Sequence, residues 1–106
     1  MRVIVALPDG STHEVPVRPG ASIMDAIRGA GLPIRAECGG AMACATCHVK
    51  VDPQWMDKVG PARGEEADLL DMSDYRGGES RLCCQIRPAP PLDGLKVHLQ
   101  LDAYEG

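Results

Sequence analysis

The chain contains no phenylalanine, and its 106 residues include only three aromatic side chains, Trp55, Tyr75 and Tyr104. Whatever core forms must be filled with Val, Ile, Leu, Ala and Met. Residues 1–106 are expected to make a single domain, because domains commonly run to about 100–150 residues. A chain of this size hides only about two-thirds of its unfolded surface, so the core is thin and a staple of some kind would suit it. Apolar runs approaching the ~18–20 residues needed to cross a bilayer are missing too, and no membrane contact is expected. The opening MRVIVALPDG breaks at Pro8-Asp9-Gly10 and reads as neither a signal nor a transit peptide. Basic charge is scarce: 11 Lys and Arg face 15 Asp and Glu, for a formal net charge of −4. A nucleic-acid partner is therefore not expected, since phosphate contact wants a basic face. The charged and hydrophobic fractions, 25% and 44%, are those of an ordinary globular protein.

The acidity is local. Residues 52–79 hold eight acids against three bases, a net −5, and the rest of the chain nets +1. Along the chain, Arg2–Leu7 reads as a strand, Pro8–Ser11 as a turn and Thr12–Val17 as the second arm of a hairpin. Ser22 is a good N-cap with Asp25 three residues on, followed by Ile23, Ala26, Ile27 and Ala30 at helical spacing; Gly31 and Pro33 stop that helix. Cys47–Val51 reads as a short strand. Helical turns are expected from Pro53 to Val59, and a better helix from Gly64 to Met72 with acids in its first turn. Ser80–Ile86 reads as a strand, Pro88–Gly94 as a rigid loop and Leu95–Leu101 as a last strand, with a flexible tail at about 102–106.

Residues 37–46, rich in glycine and small side chains, suit neither helix nor strand and suggest backbone wrapped closely around something. Five cysteines are an odd number, and without an export signal metal or redox chemistry outweighs a disulfide framework. Four of them are spaced Cys38-x5-Cys44-x2-Cys47 and then, 36 intervening residues later, Cys84. Three ligands can come from one loop and the fourth from a distant strand, and four soft thiolates select an iron–sulfur cluster, zinc or Cu(I). A structural zinc site would more often show paired C-x2-C knuckles, of which there is one. The glycines Gly39 and Gly40 would let backbone N–H groups reach the sulfurs.

The runs ECGGAMACATCHVKVD, SRLCCQI and LDGLKVHL together resemble the adrenodoxin/putidaredoxin type of 2Fe-2S ferredoxin over nearly the whole chain. The resemblance implies an α+β, β-grasp fold, a mixed sheet with a helix packed across it and one cluster in the 38–47 loop. It implies Cys38, Cys44, Cys47 and Cys84 as ligands. Adjacent strand residues face opposite ways, so only one of Cys83 and Cys84 can aim at the cluster; the family pattern, in which the ligand precedes Gln-Ile, selects Cys84. Cys83 is then a buried free thiol. His48 is expected to hydrogen-bond backbone around the cluster loop rather than to ligate metal.

Asp68, Asp71 and Asp74 fall on one side of a helix at helical spacing. The stretch EEADLLDMS also resembles the acidic interaction helix of that family, which implies Glu65, Glu66, Asp68, Asp71 and Asp74 as docking acids. Glu37 is expected on the cluster-side rim. The implied function is that of a monomeric, bacterial, cytoplasmic one-electron carrier rather than an enzyme. It would run between an NAD(P)H-dependent flavoprotein ferredoxin reductase and a cytochrome P-450 monooxygenase. A ferredoxin serving iron–sulfur cluster assembly, or another oxygenase, is the alternative. A structural zinc module ranks lower, and a thiol sensor built on Cys83 and Cys84 lower still, because vicinal cysteines rarely close an unstrained disulfide.

Overall fold

Alternating valines set the first strand: in β1 (Arg2–Ala6) Val3 and Val5 are fully buried while Ile4 and Ala6 face the other way. The computed structural model describes residues 1–35 and 47–105. The expected hairpin joins β1 to β2 (Thr12–Pro16), pairing Val3 with Val15. Its turn closes through Leu7 N–H to Ser11 C=O at 2.8 Å, and Gly10 there takes φ 93°, open to glycine but not to a branched residue.

Helix α1 (Ile23–Gly29) carries the capping box read from the sequence. Asp25 N–H donates to Ser22 Oγ at 3.1 Å, and Ser22 N–H donates to the Asp25 carboxylate at 3.2 Å. Its buried face is Ile23, Met24 and Ile27. Strand β3 (His48–Val51), a 3-10 turn over Pro53–Trp55 and α2 (Met56–Val59) come next, then α3 (Gly64–Leu70). Strands β4 (Ser80–Leu82) and β5 (Leu95–Leu99) complete a sheet ordered β2-β1-β5-β3-β4. Among the described residues only the β1–β5 pair is parallel. This is the mixed sheet with a packed helix that the β-grasp expectation describes. Among the described residues no helix is long and apolar enough to cross a membrane.

Three expected elements end two or more residues early. The strand read as Ser80–Ile86 stops at Leu82 and continues as a 3-10 turn over Cys83–Gln85. Among the described residues its pairing with β3 runs as far as His48↔Leu82, and beyond it Cys83 N–H still donates to Cys47 C=O at 3.0 Å. The last strand stops at Leu99 rather than Leu101, and α3 stops at Leu70 rather than Met72.

The expected loose tail is instead tied down. Gln100 N–H donates to His48 C=O at 3.1 Å, residues Leu101–Ala103 form a 3-10 turn, and Tyr104 pairs with Ile34. Arg35 N–H donates to Ala103 C=O and Glu105 N–H to Pro33 C=O, both at 2.8 Å. Residues 100–105 thus hold the chain on both sides of 36–46, at Pro33–Arg35 and at His48.

Candidate metal centre

Cys47 leads into β3 and is fully buried; Cys84 lies in the 3-10 turn after β4 and is 2% exposed. Hydrogen bonding between Cys83 N–H and Cys47 C=O, at 3.0 Å, brings these two segments together. The Sγ atoms of Cys47 and Cys84 end 3.4 Å apart. Helix α1 backs the same turn, its first residue donating from Ile23 N–H to Ile86 C=O at 3.0 Å.

A tetrahedral metal ion with bonds of about 2.3 Å to sulfur holds two thiolates about 3.8 Å apart. The Cys47–Cys84 separation is close to that, so this half of the donor set fits a shared metal ion. Cys47 is raised well above the ordinary thiol range by hydrogen bonding with Cys83 and by burial, against a lowering contact with Cys84. Cys84 is raised by hydrogen bonding with Cys47 and by burial, and the Gln85 amide pulls it down. Two such sulfurs become thiolates only with cationic metal between them. Cys38 and Cys44, with Glu37, Gly39 and Gly40, lie outside the described residues.

The turn changes the argument about the vicinal pair. Cys83 and Cys84 are both buried, at 0% and 2% exposure, because a 3-10 turn need not send neighbours to opposite faces. Cys84 Sγ accepts from Cys47 Sγ and receives the Gln85 Nε2 amide, both at 3.4 Å, while the Cys83 side chain also hydrogen-bonds with Cys47. Gln85 was not singled out in the sequence; its place beside the last cysteine is the only signal there.

His48 is fully buried, but its partners are side chains rather than backbone. Burial lowers its pKa against the pull of Asp102, which keeps the ring neutral. Nδ1–H then donates to the Asp102 carboxylate at 3.1 Å, and Nε2 accepts from Ser80 Oγ–H at 2.7 Å. Ser80 Oγ in turn accepts Gly77 N–H at 2.9 Å, and Ser73 Oγ–H donates to Asp102 at 2.5 Å. The network joins the strand after Cys47 to the segment after α3 and to the C-terminal turn. Ser73, Ser80 and Asp102 carry no sequence signal, since Asp102 lies 54 residues from His48.

The acidic segment is divided by the fold. Glu65 and Asp68 are exposed on α3. Asp71 caps the helix end and pairs with Arg76 at 2.8 Å, and Asp74 lies in the turn beyond it, so helical spacing does not place that pair. Met72, between them, is 83% exposed. Glu66 departs from the expected docking set. Its carboxylate is buried, accepting Arg81 Nε–H at 2.6 Å and Leu82 N–H at 2.9 Å.

The comparisons with known proteins agree with this centre. The family model described as "2Fe-2S iron-sulfur cluster binding domain" matches residues 6–89. The 2Fe-2S ferredoxin CtmE of Castellaniella defragrans is 47% identical over 88 residues, 82% of each chain. Putidaredoxin of Pseudomonas putida is 40% identical over 98 residues, 91% of this chain and 92% of that one. Its structure in the covalent complex with putidaredoxin reductase superimposes with a TM-score of 0.87, at 38% identity, covering 93% of this chain and 97% of that one. A ferredoxin from Rhodopseudomonas palustris HaA2 superimposes with a TM-score of 0.91 at 42% identity, covering 97% of this chain and 99% of that one. A β-grasp sheet and two sulfurs set to share a metal ion thus meet a family match over most of the chain, and the protein belongs to the 2Fe-2S ferredoxins of the putidaredoxin and adrenodoxin type, carrying one 2Fe-2S cluster.

Proposed function

We propose that the protein is a one-electron carrier that takes electrons from an NAD(P)H-dependent flavoprotein ferredoxin reductase and delivers them to a cytochrome P-450 monooxygenase in a bacterial cytoplasm. Cys38, Cys44, Cys47 and Cys84 would hold its cluster. When bound, the cluster supplies a single redox step that adds one negative charge on reduction. The chain's own residues hold, shield and present it. The observation that carries this reading is the position of the exposed carboxylates: α3 packs on β4, the strand that runs directly into the Cys84 turn.

Glu65, Asp68, Asp71 and Asp74 form the docking face, with Glu37 on the cluster-side rim. Their charge steers brief encounters with basic partner surfaces, which is how electrostatics speeds weak electron-transfer association. Both partners would use the same face, so the protein shuttles as a monomer instead of bridging them. Putidaredoxin, seen covalently joined to its reductase, supports the first of these partners by likeness.

The test is reconstitution. Brown protein with an EPR signal on one-electron reduction, reduced by such a reductase and supporting turnover by a P-450, is the expected result. Colourless, zinc-bearing protein would overturn the cluster assignment. Rapid reduction without electron delivery to any P-450, but with support of cluster assembly, would replace the oxygenase role with the assembly role.

A further inference from the structure

Glu66 sits in the acidic segment but does not face solvent. Its side chain is 8% exposed and that of Arg81 11%, and they meet in a two-point ion pair at 2.6 and 3.2 Å. Arg81 is anchored in turn on the carbonyls of Val59 and Gly60, at 3.2 and 3.0 Å. The same Glu66 oxygen that binds Arg81 Nε accepts Leu82 N–H at 2.9 Å. Leu82 is the N-cap of the turn that carries Cys84.

We propose that Glu66 is a positioning residue that sets the cluster's reduction potential. It fixes the turn bearing Cys84 and keeps a buried negative charge beside that ligand. A fixed carboxylate near the centre opposes the arrival of an electron, and burial leaves it little screened by salt. Arg81 offsets part of that charge through the ion pair, so removing the carboxylate alone leaves the guanidinium uncompensated beside the turn. The exposed Asp68, by contrast, acts through screened solvent and moves docking rather than potential.

The inference rests on Cys84 as a ligand, which the visible spectrum of Cys84→Ser tests by itself. Glu66→Gln is the decisive variant, because the amide oxygen still accepts Leu82 N–H while the charge is gone. Measured by redox titration of the loaded protein, its midpoint should move positive by about tenfold in the reduction equilibrium, ~59 mV for one electron. The shift should persist at high salt, with the EPR line shape unchanged and Asp68→Asn left at the wild-type potential.

A lone buried Arg81 is costly, so Glu66→Gln, Arg81→Gln serves where the single variant does not fold, and it too should move positive, by less. A wild-type midpoint in whichever variant folds, or a shift that salt abolishes, overturns the proposal. So does Glu66→Gln behaving as a docking variant, with weakened reductase coupling and an unmoved potential.

Discussion

Replacing Ser80 with alanine removes one oxygen atom from a position 1% exposed and breaks two hydrogen bonds at once. The pairing of Ser80 with Lys50 is made by main chain and survives. His48 is fully buried, so its Nε2 has no water to turn to. A buried polar atom left unpaired costs about 1–3 kcal/mol, and the Gly77 amide, nearer solvent, adds little. A loss of about 2 kcal/mol moves the unfolding midpoint of a domain this size down by roughly 10 °C. The assay is heating of the loaded protein at one fixed scan rate, followed by far-ultraviolet circular dichroism and visible absorbance. The fixed rate matters because cluster loss makes the transition irreversible. Ser73→Ala is the control: Asp102 has a side chain 23% exposed and Tyr75 N–H is at an exposed residue, so water replaces those bonds, and His48 Nδ1 keeps Asp102. A Ser80→Ala midpoint within about 2 °C of wild type, or a Ser73→Ala loss as large as that of Ser80→Ala, refutes the reasoning.

Asp68→Asn should raise the reductase KM several-fold at low ionic strength and flatten its salt dependence, with the spectrum unchanged. Asp71→Asn should do less, because Arg76 already offsets that carboxylate at 2.8 Å; equal effects, or none at low salt, count against a docking role. Cys84→Ser should lose the native visible spectrum and Cys83→Ser keep it, and the reverse result reassigns the fourth ligand. Gln85→Leu removes the amide that donates to Cys84 Sγ at 3.4 Å. The midpoint potential should then fall, since hydrogen bonds to cluster sulfur favour the more negative, reduced state; redox titration reads this, and a rise contradicts it. Stripping the cluster should lower the unfolding midpoint of the chain, because the metal ties the start of β3 to the turn after β4, and an apo-protein as stable as the loaded one removes that role.

Local chemistry made much of the fold legible. The Ser22–Asp25 capping box, the Pro8–Ser11 turn and the valine alternation of β1 each depend on residues a few positions apart, and each formed as read. What the sequence could not show was where a strand gives way to a turn. SRLCCQI has strand composition throughout, yet β4 ends at Leu82, opposite His48, and Cys83–Gln85 form a 3-10 turn. The same blindness to distant partners hid Asp102 and Ser80 from any reading of His48, and hid Arg81 from any reading of Glu66. The resemblance of EEADLLDMS counted Glu66 among the docking acids, though burial depends on what lies beneath.

The division of the acidic segment follows from a conflict that one helix resolves. A carrier needs negative charge outside, for basic partners, and a fixed frame inside, so that the ligand turn does not shift when partners bind. In α3 the two needs fall on different faces: Glu65 and Asp68 stay in solvent, while Glu66 turns inward to Arg81 and Leu82. Beyond it, Ser73 is fastened through Asp102 to His48, next to Cys47. Glu66 is thereby tied to the turn of Cys84 and Ser73 to the strand after Cys47. Under the proposed docking role, a partner on the carboxylates between them would press on a surface braced at both ends of the Cys47–Cys84 pair. The thin, ring-poor core needs no further rigidity there, because the polar ties and the metal supply it.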